Sequence, residues 1–308
     1  MKKIVITEFM DTASVDVLKA HHQVVYDPNL VDDAIRLQQA VSDADAVIVR
    51  NRTQVRGELL AAIKRATVIG RLGVGLDNID VPACEARGMT VIPATGANAL
   101  AVAEYVIGTA MLLLRGAYQD SASVAAGQWP RTRLSNGREI AGKTLGLVGF
   151  GGIGRLTAGL AMAMGMRVLA HDPMLAADAP VWAQTGVAPA RLDELLAVAD
   201  VVSLHVPLTP ETRNLLSAER VAKMKRGAIV INSARGHIAD ETAIANAIRA
   251  GHLGGAAFDV FDPEPLKAGS AWVDCPNVVL TPHVAGVTAE SNERVSSMIA
   301  AEVMKALG

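Results

Sequence analysis

The sequence predicts two α/β domains, each built on a parallel sheet. Two observations predict this. Short apolar runs of strand length alternate with helix-length stretches along the whole 308-residue chain. Parallel strands need a crossover between them, and a helix is the usual one. The chain is also 51% hydrophobic but only 3% aromatic. Its core must therefore come from Ala, Val, Leu, Ile and Met, which suits helices packed on buried parallel sheets. The length accommodates two domains of ordinary size.

In the first third, strands are expected over residues 4–7, 23–26, 46–49, 68–70 and 90–92. Helices are expected between them, over 14–20, 34–41, 58–64 and 81–87. A long helix over 99–115 opens the second unit. Strands follow over 201–205, 228–231, 255–258 and 278–280. The last segment, 289–307, carries Val295, Met298, Ile299 and Val303 at helical spacing. It is expected to cross back onto the first domain.

The most informative stretch is Leu145-Gly-Leu-Val-Gly149-Phe-Gly151-Gly-Ile-Gly154. An apolar strand opens directly into G-x-G-x-x-G. A helix-compatible segment, 155–165, follows, then a second apolar run, 166–170. Asp172 closes the unit, eighteen residues beyond Gly154. Gly149 makes the tight turn, Gly151 admits a pyrophosphate close to the backbone, and Gly154 lets helix and strand pack closely. The helix N-terminus offers N–H groups to the phosphates. Asp172 accepts hydrogen bonds from the adenosine ribose. In this order, the elements point to a dinucleotide site. No such fingerprint occurs in the first third.

Other classes are disfavoured. A net charge of −2 gives no basic field for nucleic acid and no charge excess for a membrane surface. Met1-Lys-Lys-Ile-Val-Ile-Thr runs straight into a strand, without the apolar region of a signal peptide. The apolar stretch 102–114 is too short to span a bilayer and contains Glu104. Cys84 and Cys275 are far apart and have no metal-ligand spacing, so no metal is expected and a reduced cytoplasm is. The segment 118–142 holds Trp129-Pro130, Asn136-Gly137, Arg131, Arg133 and Arg138. It is too irregular for one helix and reads either as a surface loop or as an arm onto a second subunit.

Three further stretches each follow a strand: Asn232-Ser-Ala-Arg235-Gly, Asp259-Val-Phe-Asp262-Pro-Glu264-Pro and Thr281-Pro-His283-Val-Ala-Gly286. Ligands of open parallel sheets sit beyond the carboxyl ends of the strands. Arg235, Glu264 and His283 can therefore meet in one cleft. Singly, each has an ordinary structural explanation; after a dinucleotide fingerprint, their joint placement points to catalysis.

These motifs resemble the D-isomer-specific 2-hydroxyacid dehydrogenase family. The likeness extends to Arg71-Leu-Gly-Val-Gly-Leu-Asp-Asn-Ile-Asp80, the helix start from Asn98 to Glu104, and His205-Val-Pro-Leu-Thr-Pro-Glu-Thr212, so it covers almost the whole chain. It implies a Rossmann NAD-binding domain, 99–286, inserted into a flavodoxin-like substrate domain, 1–98 plus 287–308, with a cleft between them. It implies a homodimer and no C-terminal regulatory domain. It also implies cofactor contacts from Val74, Gly149, Gly151, Gly152, Ile153, Gly154, Asp172, His205, Val206, Pro207, Ser233, Ala234, Arg235, Asp259, His283 and Gly286. The cofactor is NAD rather than NADP, since Asp172 repels a 2′-phosphate and Pro173 offers no cation to rescue it.

In the implied mechanism, hydride passes between substrate C2 and nicotinamide. His283 exchanges the hydroxyl proton, and Glu264 hydrogen-bonds its imidazole and favours the protonated form. Arg235 grips the substrate carboxylate, with the amides of Gly73, Val74 and Gly75 opposite. Arg50 matches a family position near the substrate. Arg52 is an added cation, which a second anion on the substrate would explain. The stretch around Arg50-Asn-Arg52-Thr-Gln-Val55 is similar to the sulfolactate dehydrogenase branch. The CH2–SO3 group outranks the carboxylate, so (S)-sulfolactate has D-lactate geometry. Phosphoglycerate oxidation, and glycerate, hydroxypyruvate or glyoxylate turnover, are the alternatives. An NAD-sensing corepressor is an alternative of another class, against which the intact Arg235, Glu264 and His283 speak.

Overall fold

The computed structural model describes residues 1–308, the side chain of Gln119 excepted. The chain divides into two compact units, Met1–Asn98 with Val287–Gly308, and Ala99–Gly286.

The first unit holds β1 (Lys3–Ile6), β2 (Gln23–Tyr26), β3 (Ala46–Val49), β4 (Val68–Arg71) and β5 (Thr90–Pro93). All pair in parallel, in the order β2-β1-β3-β4-β5. β1 and β3 are almost wholly buried apolar runs, as strands covered on both faces must be. The helix Ala289–Leu307 covers one face, setting Val295, Ile299, Ala300 and Val303 against Ile4, Ile6 and Ile48. It can lie this close because β4 carries Gly70, where a Cβ would come within 2.9 Å of Ile299 and Val303. Thr288 and Ser291 form a capping box that starts this helix.

The second unit holds β6 (Thr144–Val148), β7 (Arg167–His171), β8 (Ala188–Pro189), β9 (Val201–Leu204), β10 (Ile229–Asn232), β11 (Gly255–Phe258) and β12 (Val278–Leu280). They form one parallel sheet in the order β12-β11-β10-β9-β6-β7-β8. The helices Ala99–Arg115 and Gly152–Ala163 pack on each other and on this sheet.

Each sheet has a point where the strand order reverses: between β1 and β3 in the first unit, and between β6 and β9 in the second. Loops leave the two flanking strands in opposite directions there, which opens a crevice at the carboxyl ends.

Some details differ from the sequence reading, which had no strand at β8. The helix expected over 155–165 begins three residues earlier, at Gly152, with Gly151 as its N-cap. Glycines have poor helix propensity, so its first turn reads as a loop. It ends before Gly165, whose φ of 79° breaks the helix. The irregular segment 118–142 contains two short helices, Ser121–Ala125 and Arg131–Leu134, neither with a buried residue. Trp129 there is 78% exposed. Arg133 pairs with Asp120.

Candidate active site

In the second unit, one buried carboxylate organises the loop that follows β12. Asp259 is 1% exposed. Its Oδ1 accepts the Thr281 hydroxyl at 2.6 Å and the Val284 N–H at 2.8 Å, and its Oδ2 accepts the Ala285 N–H at 2.8 Å. A buried charge needs such donors. The Asp259 carbonyl also accepts the His283 N–H at 2.8 Å. These bonds hold His283 at a φ of 58°, a left-handed conformation that costs an L-residue about 1–2 kcal/mol. Asp259 was expected to be a cofactor contact. Its carboxylate folds the loop that carries His283.

Tyr105 extends this network. Its hydroxyl lies 2.8 Å from Thr281 Oγ1. The Thr281 proton goes to Asp259, so Tyr105 is the donor. Burial pushes the Tyr105 pKa up to about 12, against a smaller opposing effect of the Thr281 hydrogen bond.

His283 and Glu264 meet directly, with Nδ1 2.8 Å from Oε2. Glu264 Oε1 accepts the Phe261 N–H at 3.1 Å. An ionised carboxylate only accepts, so Nδ1 carries the proton and Nε2 is left with its lone pair. The two side chains are 41% and 38% exposed, within reach of a small molecule.

The loop after β10 is braced by Asn232, which is 1% exposed. Its Nδ2 donates to the Arg235 carbonyl at 2.9 Å and its Oδ1 accepts the Ala234 N–H at 3.1 Å. A Cβ at Gly236 would lie 2.4 Å from the Phe261 carbonyl oxygen. Glycine therefore lets the Arg235 loop lie against the loop that carries Glu264. Arg235 Nη1 donates to the Ala234 carbonyl at 2.6 Å. The Ser233 hydroxyl is buried without a hydrogen-bond partner among the described residues. A group in that state suits a bound ligand.

The glycine fingerprint sits at the reversal between β6 and β9. Gly149 has a φ of 98°, and a Cβ there would meet the His205 carbonyl oxygen at 2.6 Å and Val206 at 3.1 Å. A Cβ at Gly154 would lie 2.5 Å from the Gly149 carbonyl oxygen. At Gly151 and Gly152 a Cβ would meet nothing within 4 Å. No side chain caps the helix at Gly151. The N–H groups of its first turn, at Gly152, Ile153 and Gly154, are the donors that a helix start leaves for an anion such as a pyrophosphate. Asp172 stands at the end of β7. Its Oδ2 accepts the Phe150 N–H at 2.9 Å and its Oδ1 the Met174 N–H at 3.0 Å. The acid is thereby fixed beside the fingerprint, with lone pairs left for hydroxyl donors. The His205 ring meets Ser203, Nε2 being 2.9 Å from Oγ, and burial pushes its pKa down to about 4. Pro207 continues that loop, its carbonyl accepting the Thr212 hydroxyl at 2.6 Å. Gly286 ends the His283 loop.

In the first unit, the loop after β3 carries Arg50 and Arg52 at the reversal between β1 and β3. Glu8, just after β1 and 4% exposed, lies under it. Its Oε1 accepts the N–H groups of Arg50 at 2.9 Å and Thr53 at 3.0 Å, and its Oε2 accepts that of Arg52 at 3.1 Å. Asn78 Nδ2 donates to the carbonyls of Arg50 at 3.0 Å and Thr53 at 2.7 Å. The Arg50 guanidinium lies 5.6 Å from the centre of the Phe9 ring and donates to Asn292 Oδ1 at 2.8 Å. Burial lowers its pKa, and the Glu8 charge opposes that. Arg52 is exposed and pairs with Asp32. At the end of β4, Gly73 has a φ of 149°, and a Cβ there would lie 1.8 Å from the Arg71 guanidinium. Its N–H already donates to the Arg71 carbonyl at 2.8 Å. Of the three amides expected to take a carboxylate, that one is engaged by its own turn. Val74 is exposed and Gly75 half-buried beside it.

Sequence reasoning missed Glu8, Asn78 and Tyr105, each of which acts on residues distant in sequence, and Asn232, which braces the loop that follows it directly. Among the described residues there is no cluster of three or more His, Cys, Asp or Glu side chains that could hold a metal. No helix among them is long and apolar enough to cross a membrane.

The profile of the family "D-isomer specific 2-hydroxyacid dehydrogenase, NAD binding domain" matches residues 107–285. The (S)-sulfolactate dehydrogenase of Chromohalobacter salexigens is 51% identical over 308 residues, which cover 100% of this chain and 99% of that protein. The D-3-phosphoglycerate dehydrogenase of Mycobacterium leprae is 42% identical over 275 residues, covering 89% of this chain but 51% of that protein. This chain thus corresponds to about half of that longer relative. The crystal structure of the NAD-dependent formate dehydrogenase of Staphylococcus aureus in complex with NAD superposes with a TM-score of 0.82 at 25% identity, covering 100% of this chain and 96% of that one.

Proposed function

The chain belongs to the D-isomer specific 2-hydroxyacid dehydrogenase family, and on that premise we propose that its substrate is a D-configured 2-hydroxy acid with a second anionic group, (S)-sulfolactate foremost. It is an NAD-dependent oxidoreductase. The observation that carries the chemistry is the His283–Glu264 pair, 2.8 Å apart, in the same unit as the glycine fingerprint.

Nicotinamide, when bound, supplies the hydride acceptor or donor at substrate C2. Everything else falls to this chain. His283 Nε2 takes the C2 hydroxyl proton during oxidation and returns it during reduction. Glu264 holds the ring in the tautomer with Nδ1 protonated and stabilises the imidazolium that forms. Arg235 pairs with the substrate carboxylate and polarises the C2 oxygen. The amides of Val74 and Gly75, in the first unit, are N–H donors suited to a carboxylate. Ser233, Ala234, His205, Val206, Pro207 and Gly286 would help hold the cofactor, and Asp172 would take its adenosine ribose.

Arg50 and Arg52 bind the second anion. Two arginines on one braced loop, at a strand-order reversal, support this reading. The Arg52–Asp32 pair is exposed on both sides, so it contributes little and an incoming anion can replace Asp32. The named activity of the 51% identical relative supports a sulfonate as that anion. The reading includes a cytoplasmic homodimer. The exposed Tyr118, Val124 and Trp129 support a partner for the segment that bears them.

The test is oxidation of (S)-sulfolactate by NAD, followed as NADH appears. The wild type turns it over, and His283→Ala loses about 10²–10⁴-fold in kcat while still binding NADH. Turnover of 3-phosphoglycerate or D-glycerate with none of (S)-sulfolactate would replace this substrate. Retention of near-wild-type kcat in His283→Ala would remove His283 from proton transfer.

A further inference from the structure

The Arg50–Thr53 loop is held by more buried polar groups than an ordinary surface turn needs. Three of its N–H groups converge on Glu8, and two of its carbonyls converge on Asn78. Both anchors are nearly buried, at 4% and 6% exposure. The Thr7 and Thr53 hydroxyls add a contact at 2.8 Å. Taking a carboxylate out of water is unfavourable unless its lone pairs are filled. Among the described residues they are filled from one loop, which bears Arg50 and Arg52. Glu8 and the loop sit on the two strands that flank the order reversal, where an open parallel sheet binds its ligands.

The two oxygens of Glu8 have different partners. Oε1 serves Arg50 and Thr53, whereas Oε2 serves Arg52 alone. Arg50 has other restraints, from Phe9 and Asn292. Among the described residues, the Arg52 guanidinium has an exposed pair with Asp32 to orient it, so its placement depends on its backbone. We propose that Glu8 is a positioning residue, whose Oε2 fixes the backbone of Arg52 and thereby sets selectivity for substrates with a second anion. This rests on the assignment of Arg52 to that anion.

Glu8→Gln separates positioning from charge. Glutamine has one carbonyl oxygen and one amide nitrogen. Placing the oxygen toward Arg50 and Thr53 keeps two bonds and sets an NH2 group against the Arg52 N–H. The flipped amide would lose two bonds, so the first arrangement is favoured. The substitution also removes a negative charge near both arginines. If charge were the whole role of Glu8, a more positive crevice would favour the doubly anionic substrate, and Glu8→Asp, which keeps the charge, would change nothing.

The experiment compares kcat/KM for (S)-sulfolactate with that for D-lactate in the wild type, Glu8→Gln and Glu8→Asp, together with hydrogen exchange at the Arg50, Arg52 and Thr53 amides. Positioning predicts that the sulfolactate-to-lactate ratio falls about tenfold in Glu8→Gln, chiefly through the KM for sulfolactate, and falls in Glu8→Asp as well. It predicts faster exchange at Arg52 than at Arg50 and Thr53 in Glu8→Gln. An unchanged or increased ratio in either variant overturns the proposal, and so does an Arg52 amide that exchanges no faster than in the wild type. A wild type that does not prefer sulfolactate over lactate refutes the substrate reading, and the selectivity role with it, whatever the exchange data show. A wild type with that preference, but with variants of unchanged ratio, refutes the role of Glu8 alone.

Discussion

The Nδ1 atom of His283 lies 2.8 Å from Oε2 of Glu264, whose other oxygen accepts the Phe261 N–H at 3.1 Å. One carboxylate thus serves two donors, a backbone amide that fixes it and an imidazole that it orients. Because Nδ1 is taken, the acid–base lone pair of the histidine is the one on Nε2.

Glu264→Gln offers only one acceptor to those two donors. Either one of the two bonds is lost, or the amide NH2 donates to Nδ1 and the imidazole takes the tautomer protonated on Nε2; the charge that stabilises imidazolium is lost in each case. The rate of carbonyl reduction in a single turnover is expected to fall roughly tenfold to a hundredfold, with the affinity for NADH little changed. An unchanged single-turnover rate would show that Glu264 does not act on His283.

Asp172 is fixed by the Phe150 and Met174 N–H groups at the end of β7. Asp172→Asn removes the charge that repels a 2′-phosphate and weakens the acceptor for ribose hydroxyls. The ratio of kcat/KM with NAD to that with NADP is expected to fall about tenfold or more. Damage to the fingerprint loop would affect both cofactors alike, so the ratio isolates the charge. A ratio that stays constant assigns ribose recognition elsewhere.

Burial pushes the His205 pKa down from 6.5 to about 4. An unfolded chain therefore takes up a proton below about pH 6.5 that the folded chain refuses until about pH 4. The stability associated with neutral His205 is present above the unfolded pKa and is lost as the pH falls through this window, by about 3 kcal/mol in all. Denaturant midpoints of the wild type should fall more steeply between about pH 6.5 and about pH 4 than those of His205→Gln. Parallel slopes for the two proteins would show that folding does not lower the His205 pKa.

The sheets were legible because they are buried on both faces. Continuous runs such as Val201–Leu204 and Gly255–Phe258 have no other use in a chain with so few aromatic residues. Small shifts at element ends arose where glycine carries the first turn of a helix, as at Gly152, since the same residue marks loops elsewhere. The catalytic pair was legible because both members stand in short motifs after strands. Their support was not. Asp259 reaches Thr281, Val284 and Ala285 across a strand pairing, and Tyr105 reaches Thr281 from a helix far upstream. Glu8 holds residues more than forty positions away. Such bonds depend on sheet order, to which local spacing is blind.

The most direct test of the account is the selectivity ratio, kcat/KM for (S)-sulfolactate over that for D-lactate, in the wild type and in Arg52→Ala. The account predicts a wild type that favours sulfolactate and a variant whose ratio drops roughly tenfold to a hundredfold, because a charge-assisted bond to the second anion is lost. Arg52→Lys should recover part of it, since an ammonium restores the charge without the guanidinium fork. A wild type without the preference, or an Arg52→Ala variant with the wild-type ratio, would contradict it.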